Sequence, residues 1–191
     1  KSIGYIYRRQ GKIKESLANH QRAMELEPND PSLFFQISLT YHHAREYNDA
    51  EEMIDRALQL VPDNQINLQR KFWYQFYKHR DLNELITELY DLRKRLGDTN
   101  YSMTNQIVLA LILDRKYELA LDELDKVEDI FNIQQDSYIP YDFIRGNIFG
   151  LMGLNDQAIP LYISAANLLE KELLKNPKDI RVVSDLGMIY A

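Results

Sequence analysis

The chain has 191 residues, 45% hydrophobic and 27% charged, enough to bury a substantial core, and its formal net charge is −6. With no Cys it has neither disulfides nor thiolate metal sites, which suits a reducing cytoplasm, and an acidic chain gives no reason to expect nucleic acid. Only 7 Gly and 6 Pro favour long regular elements, and no apolar run approaches the roughly 20 residues that span a bilayer. Lys1 in place of a methionine reads as the start of an excised segment.

Apolar periodicity and breakers predict helices over residues 1–10, 14–27, 31–44, 48–61, 65–79, 83–96, 101–113, 117–131, 138–152, 156–175 and 179–191. Asn48, Asn83 and Asp156 stand where they would cap the fourth, sixth and tenth, and Glu51 completes a capping-box pattern with Asn48. The connection "NIQQDSYIP" (132–140) is the longest and the expected hinge. In the tenth helix Pro160 is expected to bend the first turns, and Leu168, Leu169 and Leu173 carry the apolar face onward to Pro177.

The stretches "QRAMELEPND" (21–30) and "DRALQLVPDN" (55–64) share one design. Arg22, Ala23, Leu26 and Pro28 return 34 positions later as Arg56, Ala57, Leu60 and Pro62. A fixed period of this length marks a stacked repeat, whose units bury their apolar faces on one another. The match extends through Ile37, Ser38, Tyr41, Ala50 and Ile54 in the second copy and Gly146, Phe149, Gly153, Ala158, Tyr162 and Ala165 in the fifth, at positions 7, 8, 11, 15, 20, 24 and 27. The chain resembles the tetratricopeptide repeat family, which implies an all-α solenoid of the right-handed superhelical kind. Its repeats would span about 1–30, 31–64, 65–99, 100–134 and 138–177, with 178–191 opening a sixth. Position 8 is small (Gly4, Ser38, Gly146, Gly187) where two helices of one repeat cross, and residues at 7, 11 and 24 are expected to fill the space between repeats.

No enzyme motif emerges. His42 and His43 are adjacent and point about 100° apart on a helix, so they cannot clasp one metal. "GNIFGLMG" (146–153) sits within a helix and is no phosphate loop, and "DELDKVED" (122–129) reads as a solvated face. The Asn100-Tyr101-Ser102 triplet fits a glycosylation acceptor by composition alone. The reading is a non-catalytic scaffold without cofactor or metal.

The family resemblance implies that positions 2, 5, 9, 12 and 13 of each first helix face a concave groove. The residues so placed are Lys1, Tyr5, Arg8 and Arg9; Ser32, Phe35, Leu39, His42 and His43; and Asn67, Arg70, Tyr74, Tyr77 and Lys78. The later repeats add Ser102, Asn105, Leu109, Ile112, Leu113, Phe143, Asn147 and Leu151. The amino-terminal half is basic and aromatic and contains no acid, which suits an extended acidic peptide bearing aromatic residues. The carboxylate clamp of chaperone-binding members is rejected, because its slots hold Lys1, Tyr5, Gln36, Asn67 and Lys71 and only Lys1 matches. Exposed apolar faces at uncapped ends offer a route to self-association. More loosely, the lengthened repeat and its "LGMIYA" continuation resemble tetratricopeptide segments of large bacterial signalling proteins. That resemblance implies a regulatory or docking arm of a nucleotide cyclase or kinase lying outside this segment.

Overall fold

The computed structural model describes residues 2–97, 101–133 and 137–190. The chain divides into two compact units, residues 1–96 and 97–191. The first contains α1 (Ser2–Arg9), α2 (Ile13–Leu26), α3 (Pro31–His43), α4 (Tyr47–Leu60), α5 (Gln65–His79) and α6 (Leu82–Leu96). The second contains α7 (Tyr101–Leu113), α8 (Tyr117–Leu124), strands β1 (Phe131–Ile133) and β2 (Tyr138–Pro140), α9 (Tyr141–Leu151), α10 (Asn155–Lys175) and α11 (Ile180–Tyr190). Lys1, the Asn100 end of the glycosylation triplet, part of the 132–140 connection and Ala191 lie outside the described residues, as does the Ser102 side chain.

The turn inside each repeat has one backbone form. Gly11, Arg45, Arg80, Arg115 and Gly153 all take a left-handed φ between 56° and 76°. In four of the five the next residue donates its N–H back five positions: Lys12 to Tyr7 O, Glu46 to Tyr41 O, Lys116 to Leu111 O and Leu154 to Phe149 O, at 2.9–3.0 Å, whereas Arg80 is itself the C-cap of α5 and donates to Phe76 O. This is the Schellman closure, which satisfies carbonyls at the end of the first helix. It starts the second helix one residue later, at Ile13, Tyr47, Tyr117 and Asn155.

The closure also corrects the expected caps. Asn48 and Asp156 fall inside the first turn of their helices, and α4 and α10 open without a side-chain cap. At α6 the capping carboxylate is Asp81, which accepts from Glu84 N at 3.0 Å, rather than Asn83. Side-chain caps instead open α3 and α5, where Asp30 accepts from Ser32 N and Asn64 from Asn67 N. Asp179 accepts from Arg181 N in the same way. Each follows a proline by two residues (Pro28, Pro62, Pro177), so the repeated stretch both ends one helix and starts the next.

Core packing follows the repeat. Leu33, Phe34 and Ile37 of α3 bury against Ala23 of α2 and Met53 and Ala57 of α4, each large side chain contributing about 2 kcal/mol. Position 24 departs from expectation in the first and fifth repeats, where His20 and Tyr162 lie over the small residue of their own repeat, while Ile54 packs with Tyr74 of the next repeat as expected. A Cβ on Gly4 would stand 2.7 Å from the His20 ring, and one on Gly146 would stand 2.7 Å from Tyr162 Cε1. Ser16, at position 20, donates to Gly4 O at 2.8 Å and locks the same crossing. Gly187 meets no such neighbour. Gly146→Val should therefore lower stability by about 3 kcal/mol through overpacking, whereas Gly187→Ala should raise it by about 0.5–1 kcal/mol through helix propensity. Thermal midpoints of the two variants, falling and rising by a few degrees respectively, check the contrast.

The largest departure lies between Leu124 and Tyr141. The helix expected to run to residue 131 stops at Leu124, because Glu123, Asp125, Glu128 and Asp129 load acidic charge where the helix dipole disfavours it. Phe131, Ile133, Tyr138 and Ile139 are β-branched or aromatic and lie in an antiparallel ribbon instead, Asn132 opposite Ile139. The ninth helix consequently begins at Tyr141 rather than 138. Where a hinge was expected, β2 is anchored: Tyr138 donates its backbone N–H to Asp185, its hydroxyl lies 3.4 Å from Glu172, and Arg181 covers its ring at 5.6 Å. The tenth helix is 21 residues long against 14 for α2 and α4, as the sequence indicates, and contains Pro160.

Candidate partner-binding groove

In the amino-terminal unit, α1, α3 and α5 stand side by side and share one surface. Arg8 of α1 donates to Gln36 O and Gln36 Oε1 of α3, both at 3.0 Å. His42 of α3 stacks on Tyr74 of α5 with centroids 5.5 Å apart and lies 5.3 Å from Tyr77. Arg8, Gln36, His42, Tyr74 and Tyr77 thus meet across the three helices, and the predicted side chains divide into wall and surface.

Tyr74 belongs to the wall. It is fully buried against Ala50 and Ile54, with its hydroxyl 3.3 Å from Ser38 Oγ. Burial raises its pKa and keeps it neutral. Phe35 and Tyr77 pack on the edge of the same cluster and remain partly exposed. Arg8 is half-buried and holds α1 to α3, so its guanidinium is engaged within the unit. Lys78 pairs with Glu51 Oε2 of α4 at 2.6 Å, which corrects the expectation of a row without acid. Leu39 is half-buried between these positions.

What remains for a partner is smaller and sharper. Arg70 is half-buried, and among the described residues it makes no hydrogen bond or ion pair. Its charge reaches the rings around it. The pKa of His42 is lowered first by burial and then by Arg70, and that of His43 by burial, Arg8 and Arg70. Both imidazoles are thereby held neutral at pH 7. Tyr5 is half-buried and carries Arg8 at 5.7 Å from its ring centroid. At one end of the row Ser32, Phe35 and Asn67 join Pro31, Asn64 and Ile66 around a cavity of about 230 Å³. Such an open guanidinium beside neutral rings can grip a carboxylate while the rings take an aromatic or aliphatic neighbour.

The sequence reading missed Tyr47. It stacks on Tyr77 at 5.1 Å and lies 5.9 Å from His42, extending the aromatic wall from the first residue of α4. The repeat register could have found it, since position 17 opens every second helix. Among the described residues no group of three or more His, Asp or Glu could hold a metal ion.

The carboxy-terminal unit presents a different face. Asn105 accepts from Tyr141 at 3.3 Å, and Asn147 accepts from Tyr162 at 3.1 Å. Phe143 packs 5.8 Å from Tyr162, while Leu109, Leu113 and Leu151 are exposed. Its predicted polar positions are largely satisfied internally and its free surface is apolar.

Comparison with known proteins accords with this geometry. Residues 4–43 match the family model of the TPR repeat. The crystal structure of a thermophilic TPR protein from Thermus thermophilus superposes with a TM-score of 0.67 at 18% identity, over 99% of this chain and 96% of that one. This is a tetratricopeptide-repeat fold. The crystal structure of MamA is similar at a TM-score of 0.60 and 18% identity, covering 89% of this chain and 96% of its own. MamA from Desulfovibrio magneticus RS-1, residue 41 to its end, gives 0.60 and 18% over 89% and 93%. No curated protein matches the sequence. At such identities the tetratricopeptide likeness carries architecture alone. Among the described residues no helix is long and apolar enough to cross a membrane.

Proposed function

We propose that the chain is a non-catalytic protein-interaction scaffold whose amino-terminal unit takes an extended acidic peptide on the surface of α1, α3 and α5. The observation that carries this reading is Arg70: a half-buried guanidinium without an internal partner, set among His42, His43, Tyr74 and Tyr77. Desolvation of an unpaired charge is costly, and a carboxylate arriving from outside relieves it with charge-assisted hydrogen bonds. Arg9 adds positive potential at the rim, and Tyr5, His43 and Tyr77 supply rigid contact area. Arg8 and Lys78 act indirectly, by fixing the helices that present these groups.

The test uses fluorescein-labelled peptides of Asp, Glu and aromatic residues against Lys-rich peptides of equal length, followed by fluorescence polarisation. Acid-rich peptides should bind, and Arg70→Glu should weaken them at least tenfold without moving the thermal midpoint. Equal binding of both peptide classes, or an unchanged affinity in Arg70→Glu, would sink the reading. Arg8→Glu is unsuitable as the first variant, since it also breaks the bonds to Gln36.

A further inference from the structure

The cavity at the end of the candidate groove has no charged residue in its lining. Pro31, Ser32 and Phe35 of α3 enclose it with Asn64 and with Ile66 and Asn67 of α5, around about 230 Å³. Its open surface is mainly hydrocarbon. Ile66 is the second residue of α5, as Ser32 is of α3, and leaves 58% of its surface exposed. Phe35 is fixed from behind by its packing on the Tyr74 cluster. Two helices start here, and free N–H groups at helix starts would favour an anion. They are already answered: Asp30 accepts from Ser32 N at 2.9 Å, and Asn64 accepts from Asn67 N at 3.0 Å. The volume lies below the roughly 300–1,000 Å³ usual for a whole small-molecule ligand, so it suits a single side chain. The lining selects an apolar one.

The position of Arg70 sets the spacing. It follows Ile66 by four residues and Asn67 by three, so it adjoins the cavity on the same face of α5, with Cβ atoms about 5–6 Å apart. In an extended peptide successive side chains point to opposite sides, and those two residues apart share a side at about 6.6 Å. Neighbours one or three residues apart point away from each other. We propose that the partner peptide places an apolar residue against Ile66 and Phe35, two positions from the acidic residue that Arg70 holds. This rests on Arg70 being the carboxylate site, and it adds the second feature by which the groove selects its partner.

Fluorescein-labelled peptides of one Ser/Tyr background, each with a single Glu, test the spacing by fluorescence polarisation against the whole chain. Leu two positions from Glu, in one order or the other, should tighten binding at least fivefold over Ser at that place. Leu one or three positions away should gain less than twofold. Ile66→Ser, which copies the residue at this place in α3, should remove the Leu advantage. It should leave the affinity of the peptide without Leu, and the thermal midpoint, unchanged. A Leu advantage that is absent, that ignores spacing, or that survives in Ile66→Ser overturns the apolar seat while leaving the acid at Arg70 in place. Absence of Glu-dependent binding, or its indifference to Arg70→Glu, overturns both.

Discussion

Lowering the pH from 7 to 4 should remove about 3 kcal/mol from the stability of the amino-terminal unit through His20 alone. The ring is fully buried over Gly4, packs 5.5 Å from Tyr5, and has no hydrogen-bond partner at either nitrogen. Burial, with Arg8 nearby, pushes its pKa down to about 4 from 6.5. A group whose folded pKa is depressed binds protons better when unfolded, so stability rises with pH between about 4 and 6.5 and levels off above. The shift of about 2.5 units corresponds to about 3 kcal/mol. His42 and His43 are shifted the same way and steepen the limb. Urea midpoints at pH 4, 5, 6.5 and 8 measure it. His20→Leu, matching the Leu89 and Leu124 that fill this position in the third and fourth repeats, should flatten the limb. It should also add about 1 kcal/mol at pH 7 by removing two orphaned nitrogens. A limb equally steep in His20→Leu would assign the acid loss to carboxylates instead.

Tyr74→Ala should cost about 4 kcal/mol, the usual penalty for emptying the space of a fully buried large side chain. The ring fills the junction of α3, α4 and α5 beside Ala50 and Ile54 and stacks on His42, so its loss loosens three helices together. Tyr74→Phe should cost only about 0.5–1 kcal/mol, because Ser38 Oγ keeps its bond to Phe35 O when the tyrosine hydroxyl goes. Chemical denaturation of both variants separates ring from hydroxyl. A loss under 1 kcal/mol in Tyr74→Ala would mean that the ring is not a structural wall, contrary to its burial.

The repeat register was legible because packing writes it in side chains. Gly4 and Gly146 are small because the His20 and Tyr162 rings lie directly upon them, and Ala50, Ala120 and Ala158 are sealed at the next crossing. Caps were misread at the second helices because a backbone closure does what Asn48 and Asp156 were expected to do. The ribbon at 131–140 was missed because Val127 continues the helical spacing while the acidic run around it opposes a helix end.

For the candidate groove, positions along the chain indicated which residues share a face but not which are already engaged. Gln36 comes to Arg8 from 28 residues away, and Glu51 comes to Lys78 from 27. Both partners sit on neighbouring elements that a position-by-position transfer does not consult. Arg70 stands apart through its lack of such a partner among the described residues, a property that only coordinates reveal.

The left-handed turn bears on how such chains diverge. Arg45, Arg80 and Arg115 adopt a backbone form in which glycine costs nothing and another residue costs about 1 kcal/mol. The hydrogen bonds and helices on either side impose the form, so its occupant can drift while the architecture stays put. Five turns with a left-handed residue carry two kinds of occupant, Gly at 11 and 153 and Arg at 45, 80 and 115. Lineages of this fold can therefore lose their signature letters long before they lose their shape.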